Sequence, residues 1–434
     1  MNSMSNRFLI ACILLVLIHA SLLLYVMPHL GASVGLLYNQ DKYADGYDEI
    51  ATTLSQGDGY RFYPDTAPTL MREPGYPLLL AGIFTVFGNS FVAVKLVNMI
   101  LALATATLLM KVASKVSKSK IVIVGAPLLF LFHPGVLVAE SRGGVETLFT
   151  FCVVLFVLLL YRAIEKDRWF EYLACGAALG VTVLVRSTLM LFPLVVFAYL
   201  LFFFKSRVIS AARNIGLMIV SMLVVLSPWI IRNFQLTGKF VPAASVLGIS
   251  AHSGQYVCEN LSGNNSRKDV DRRGAAERRG LAMQLGYPFK DVKDAYYQYF
   301  YRPEDELKFS SYLLNKVVNK YRESPGLFLR CSSSNLFDFW FAGRTPNSTK
   351  MNLVLQIPYL MLAIVGVTIS WHKNQMRYPV LLVLLVIYTI AVYAPILAQA
   401  RYSVSVLPFV SVLMSLCLAY FVEMFDRKKK VISQ

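Results

Sequence analysis

Charge is scarce in this 434-residue chain: Asp, Glu, Lys and Arg make up 15% of it, against 56% hydrophobic residues. Soluble domains carry about a quarter charged residues, so this balance, with a mean hydropathy of +0.55, excludes an ordinary soluble protein. Histidine is scarce too, with five in all and widely scattered, and no spacing of His, Cys, Asp and Glu matches a metal-ligand cluster. No P-loop, no GxGxxG and no strict internal repeat is present, which removes the nucleotide-binding and solenoid signatures. Cysteine is sparse as well. Cys12, Cys152, Cys175 and Cys417 fall inside apolar runs, where a thiol behaves as a small hydrophobe. Cys258 and Cys331 lie in the one large polar segment, where pairing depends on whether that segment faces an oxidising compartment.

Acids are outnumbered, 25 to 42, for a formal charge of +17. A single basic stripe would point to nucleic acid, but here the bases form short clusters between apolar runs, which is a membrane pattern and argues against a nucleic-acid partner. The apolar runs approach bilayer thickness. They predict an all-α polytopic membrane protein with about ten spans: 8–27, 90–111, 120–134, 144–162, 170–185, 187–204, 212–231, 352–371, 378–397 and 403–423. The first exceeds the core of a signal peptide and reads as a retained anchor. Every second connection is basic: Lys111 to Lys120, Arg162 to Arg168, Lys205 to Arg213, Lys373 and Arg377, then Arg427-Lys428-Lys429-Lys430. These are expected to be cytoplasmic, as are both termini.

Three parts follow: an N-terminal membrane module over 1–232 with an outer loop at 30–89, an extracytoplasmic segment at 233–350, and C-terminal spans over 351–434. Residues 76–88 are apolar but short and predict a helix lying at the outer interface. In the 233–350 segment, short helices are expected near 291–301 and 305–322, folded onto the membrane part without a large core of their own. Residues 135–143 and 398–402 are expected to be outer turns.

The first outer loop inverts the sign of the chain. Residues 30–75 hold seven acids and three bases. Basic residues also gather at the outer ends of spans: Arg72, Lys95, Arg142, Arg232 and Arg401, with Arg186 between two apolar runs. An ionisable group near the membrane plane faces a cavity or a partner unless it snorkels to lipid phosphates.

Asp45-Gly46-Tyr47-Asp48-Glu49-Ile50-Ala51, then Gly57-Asp58-Gly59-Tyr60 and Arg72-Glu73-Pro74-Gly75-Tyr76-Pro77, resembles the first outer loop of GT-C glycosyltransferases that use polyprenyl-phosphate sugars. This group includes the protein O-mannosyltransferases and the lipid A aminoarabinose transferases (a glycosyltransferase family 39-like pattern). Pro228-Trp229-Ile230-Ile231-Arg232-Asn233, Ser324-Pro325 leading to Phe339-Trp340, and Ala400-Arg401-Tyr402-Ser403 are similar to the same group. The resemblance runs from about residue 40 to 410 and implies a GT-C-like helical bundle with an extracytoplasmic active site, in a bacterial inner (plasma) membrane.

The resemblance further implies an acidic base in the first loop: Asp45, with Asp48 and Asp41 as alternatives. Relatives often carry this acid four residues before the tyrosine of Tyr-x-x-Ile-Ala, a position held here by Tyr43. Glu146 resembles the second acid of the group, and would hold a metal, orient the acceptor, or pair with Arg142 on one helix face. Arg72, Arg186, Arg232 and Arg401 are the implied donor-phosphate ligands, and Tyr47 and Tyr402 position the sugar or the loop. No obligatory cofactor is implied, with a divalent cation left open. The implied partners are a polyprenyl-phosphate-linked sugar, a lipid, glycan or protein acceptor, and membrane lipids.

The chemistry suits these residue types. Phosphate leaves without protonation, so the second carboxylate of a glycosidase is unnecessary. One base takes the acceptor's proton, and arginines stabilise the departing phosphate. A polymerase or ligase of lipid-linked glycans, a transporter and a non-catalytic lipid-sugar binder are the competing readings. A transporter would cluster its charges near the bilayer midplane, whereas here they collect at the outer ends.

Overall fold

The computed structural model describes residues 14–26, 45–205, 207–261, 266–292 and 295–432, with backbone alone for 427–432. Asp41 and Tyr43 lie outside the described residues, as do the start of the first span and the side chains of Arg427 to Lys430. The chain is an all-α polytopic membrane protein. Its membrane part comprises α1 (Leu14–Val26), α3 (Gly75–Phe87), α4 (Phe91–Val116), α5 (Lys120–Leu131), α6 (Pro134–Ser141), α7 (Glu146–Lys166), α8 (Trp169–Val185), α9 (Phe192–Phe203), α10 (Val208–Thr237), α15 (Pro346–His372), α16 (Pro379–Tyr393) and α17 (Leu407–Ile432). Between them lie α2 (Tyr47–Gln56), then α11 (Leu247–Asn260), α12 (Arg267–Gln284), α13 (Pro303–Glu323) and α14 (Pro325–Phe341).

Among the described residues every predicted span falls on an apolar helix, but five of these helices are long and apolar enough to cross a bilayer, or six when the bent pair α5 and α6 is counted as one. Residues 135–143, expected to be a turn, are mostly that second half: α6 leaves α5 at 48°. The sequence supplies the breaks. Proline opens α6, α13, α14, α15 and α16, where its missing N–H is harmless and its fixed φ suits the first turn. Ser90 caps α4 by accepting the Ala93 N–H at 3.3 Å, which satisfies one of the donors left over at a helix start. Arg186 ends α8 in extended backbone, and a 3-10 turn at Ser187–Leu189 separates it from α9.

The membrane helices share one apolar core built from α3 to α10 and α14 to α17. α8 lies against α10 at backbone distance. A Cβ on Gly176 would collide with the Met218 carbonyl, and one on Gly180 with Val225 and the Met222 carbonyl. This is the small-xxx-small packing that lets helices approach closely in lipid.

A second apolar cluster joins the first loop to the 233–350 segment: Ile50, Phe62 and Met71 pack with Ile249, Ala282, Tyr297, Tyr299, Phe300, Phe309 and Leu313. The buried Glu306 on α13 ties the same two pieces, accepting hydrogen bonds from the Thr69 hydroxyl (2.7 Å), the Leu70 N–H (2.9 Å) and the Ser245 hydroxyl (2.6 Å). The helix expected near 291–301 is replaced by a two-stranded ladder, β1 (Phe289–Lys290) and β2 (Tyr299–Phe300), paired antiparallel. Its aromatic residues favour strands, and Tyr299 and Phe300 are buried against the loop.

Cys258 of α11 and Cys331 of α14 form a disulfide across 73 residues of chain. In the chain-entropy account a loop of this length is worth about 4 kcal/mol. Cys258→Ser should lower the thermal midpoint of the purified protein in non-reducing buffer and leave it unchanged under strong reductant. Equal midpoints without reductant would show that the bridge is not formed.

Candidate active site

The first loop enters α2 through a left-handed turn at Asp45 (φ +72°) and Gly46 (φ +76°). Aspartate tolerates this region better than most residues, and a Cβ on Gly46 would strike the Phe62 ring. The turn places the Asp45 carboxylate in a cavity of about 650 Å³, bounded by the first loop, the start of α4, α6, α11, α12, the ends of α14 and α15, and the 3-10 segment Ala400–Ser405.

Arg401 holds Asp45 in a two-pronged ion pair, at 2.6 Å from Nη1 to Oδ2 and 3.2 Å from Nη2 to Oδ1. The same Nη1 lies 3.7 Å from Oε1 of Glu146 at the head of α7. Burial alone would raise the Asp45 carboxyl, but the Arg401 and Arg72 charges outweigh it and hold the group well below the usual carboxylate range.

Arg72 is fixed from several sides. Its Nε donates to the Asp45 backbone carbonyl at 3.0 Å and its Nη2 to the Tyr297 hydroxyl, with the guanidinium between the Tyr47 and Tyr297 rings, 5.1 and 4.7 Å from their centroids. Arg186 is gripped similarly, 4.4 Å from the Tyr402 ring and 5.5 Å from Tyr393, two rings that stack at 4.6 Å. Its Nη1 lies 3.9 Å from Glu146. Next to it Glu73 accepts from the Ser187 N–H (3.1 Å) and hydroxyl (2.7 Å), which ties the first loop to the end of α8.

Six of the eight residues singled out from the sequence therefore line one cavity: Asp45, Arg72, Glu146, Arg186, Arg401 and Tyr402. Two do not. Asp48 sits beside Glu49 on α2, away from the cavity lining. Arg232 points into the seam between α10 and the first loop, donating to the Thr69 carbonyl at 2.8 Å and lying 4.5 Å from the Trp229 ring. Arg142 and Glu146 do not share a helix face, because Arg142 caps the C-terminus of α6 and Gly143-Gly144 intervenes before α7.

The cavity also holds residues passed over in the sequence: Arg344, Asp271, Lys268 and Tyr297. Arg344 had a readable signal, a base just ahead of a span. Tyr297 had none, since its partner Arg72 lies 225 positions away. Altogether nine Lys and Arg line the cavity against five Asp and Glu. Among the described residues no group of three or more His, Cys, Asp and Glu converges as a metal site.

The comparisons with known proteins bear on this cavity. Residues 68–231 match the family described as dolichyl-phosphate-mannose-protein mannosyltransferase. The matched stretch is under half of the chain. It contains Arg72, Glu73, Arg142, Glu146 and Arg186, and stops short of Asp45 on one side and of Arg232 and Arg401 on the other. No curated protein matches the chain. Two crystal structures of ArnT from Cupriavidus metallidurans resemble it. The one bound to undecaprenyl phosphate is 14% identical with a TM-score of 0.42, covering 92% of this chain and 78% of that one. The apo form is 14% identical with a TM-score of 0.36, covering 87% and 73%. Likeness at that level assigns no role to any residue here.

Glu49 also lines the cavity. Burial, then the hydrogen bond and charge it shares with Asp48, push its carboxyl up to about 8. A glutamate in the unfolded chain ionises near 4.3, so between that value and about pH 8 the folded state holds the extra proton, and stability falls as pH rises. Glu49→Gln removes this loss. Its thermal midpoint relative to wild type should climb from pH 5 to pH 8, and a difference independent of pH would refute the assignment.

Proposed function

We propose that this membrane glycosyltransferase moves a sugar from a polyprenyl-phosphate donor to a hydroxyl of a lipid, glycan or protein acceptor on the extracytoplasmic face, by inverting single displacement. The observation that carries the reading is Asp45 itself, a first-loop carboxylate in a cavity walled by arginines. The family description, which names a dolichyl-phosphate sugar as donor, supports the donor class. The disulfide in the 233–350 segment supports an oxidising, extracytoplasmic location for the cavity.

In this mechanism the acceptor oxygen attacks the anomeric carbon and its proton passes to Asp45. The bond from that carbon to the phosphate oxygen breaks, and its electron pair stays on the phosphate, which leaves as polyprenyl phosphate. The donor phosphodiester carries one negative charge and the leaving monoester approaches two. The arginine-rich wall therefore stabilises the transition state more than the ground state.

Arg72 and Arg186, packed against tyrosine rings, supply fixed positive potential. Glu146 holds Arg186 and Arg401 in place. No resident metal is invoked, since Asp45 and Glu146 converge on the Arg401 guanidinium and offer too few oxygens for a hard divalent cation.

Asp45→Asn should lower transfer by about 10²- to 10⁴-fold and leave the polyprenyl-phosphate sugar to accumulate. Asp48→Asn should stay within a few-fold of wild type. Both are read by mass spectrometry of lipid extracts from membranes with matched expression. Full activity in Asp45→Asn would remove Asp45 as the base.

A further inference from the structure

A carboxylate gripped by both prongs of a guanidinium is a poor proton acceptor, yet the base must gain a proton during transfer. Arg401 has therefore to loosen its hold on Asp45 at the moment of reaction. Its surroundings permit this movement. Its Nε is buried without a hydrogen-bond partner. Glu146 Oε1, itself buried and without a hydrogen bond, lies 3.7 Å from the same Nη1 that bonds Asp45. The guanidinium can turn from one carboxylate toward the other without becoming an isolated buried charge. Arg72 and Arg186 lack that freedom, each being packed against two aromatic rings.

Turning Arg401 requires an anion, and two further arginines of the cavity are placed to receive one. Arg142 projects from the C-terminus of α6, and Arg344 from the connection between α14 and α15. Arg344 is exposed at the rim, with no carboxylate in ion-pair distance among the described residues. The three charges crowd one another: burial, then Arg344 and Arg401, pull Arg142 below the ordinary arginine value, while Glu146 opposes them. An anion bound among them relieves that repulsion.

We propose that the donor's phosphate seats on Arg142 and Arg344 and takes Arg401 from Asp45, so that the base is released only when the lipid phosphate is bound. The proposal rests on the glycosyltransferase mechanism above and adds two phosphate ligands and an order of events. Before the donor arrives, Asp45 is locked and cannot activate water or acceptor. Arg401 is a positioning residue for the base in the free enzyme and a phosphate ligand in the complex.

The test is binding of geranyl phosphate, a soluble lipid-phosphate probe, to the purified full chain in detergent, followed by calorimetry, with inorganic phosphate as the free-anion control. Arg344→Gln should weaken binding roughly tenfold, as loss of one charge-assisted hydrogen bond implies. Arg142→Gln should do the same.

Asp45→Asn should bind several-fold tighter than wild type, because the phosphate no longer competes for Arg401, although transfer by this variant is strongly reduced. In an Arg401→Gln background that gain should vanish. Monodisperse elution and an unchanged thermal midpoint check that each variant is folded.

Tightening that persists without Arg401 would be bare electrostatics and would overturn the exchange. Unchanged affinity in both Arg344→Gln and Arg142→Gln would overturn the seat. Equal affinity for inorganic phosphate would show an anion site that does not recognise the lipid, which overturns the proposal. A wild-type protein that binds no geranyl phosphate would overturn the donor class along with the proposal, whereas binding with insensitive variants would overturn the proposal alone.

Discussion

A buried charge must be neutralised by its surroundings or it does not stay charged. Around the cavity this constraint is met by sharing. Arg401 serves Asp45 and Glu146 together, Glu146 serves Arg401 and Arg186, and Arg72 leans on two phenol rings and the Asp45 backbone. No member has a partner of its own to keep. The wall is consequently positive on balance but internally braced, a suitable state for a site that must accept an anion and later release one carrying more charge.

The rest of the fold makes that bracing rigid. Tyr76 donates to the Gly143 carbonyl at 2.6 Å, so the helix after the first loop is bolted to the glycine pair that separates α6 from α7. Arg232 and Trp229 extend the end of α10 over the same loop, with the Trp229 indole donating to the Ala243 carbonyl at 2.7 Å. Glu306 secures it from the opposite side. A segment without long apolar runs is thereby held by polar staples and one small aromatic cluster, where most of the chain relies on lipid-facing helices.

The helical content and the positions of the spans were legible in the sequence, and six of the eight candidate residues read there line one cavity, because hydropathy runs and charges at span ends are local signals. The misses share a physical cause. Arg232 looked like its neighbours because a guanidinium at the end of a span carries the same local signature whether it faces a cavity or a backbone carbonyl. The bend at 48° was read as a span followed by a turn, since periodicity does not report direction. Tyr297 reaches the cavity only through the folding of the 233–350 segment, and nothing near it in sequence says so, whereas Arg344, a base just ahead of a span, carried a local signal that was passed over. The strand pair at 289–300 was read as helix because its aromatic residues suit either state until their burial is known.

The cross-link between Cys258 and Cys331 carries a consequence for biogenesis. Hydropathy alone lets a polytopic chain insert in either orientation, and the loop charges bias the choice without enforcing it. A copy inserted the wrong way round would present both thiols to a reducing compartment and would go without its covalent tie. With the cavity on the extracytoplasmic side as proposed, such copies would open more readily and fall first to proteolysis.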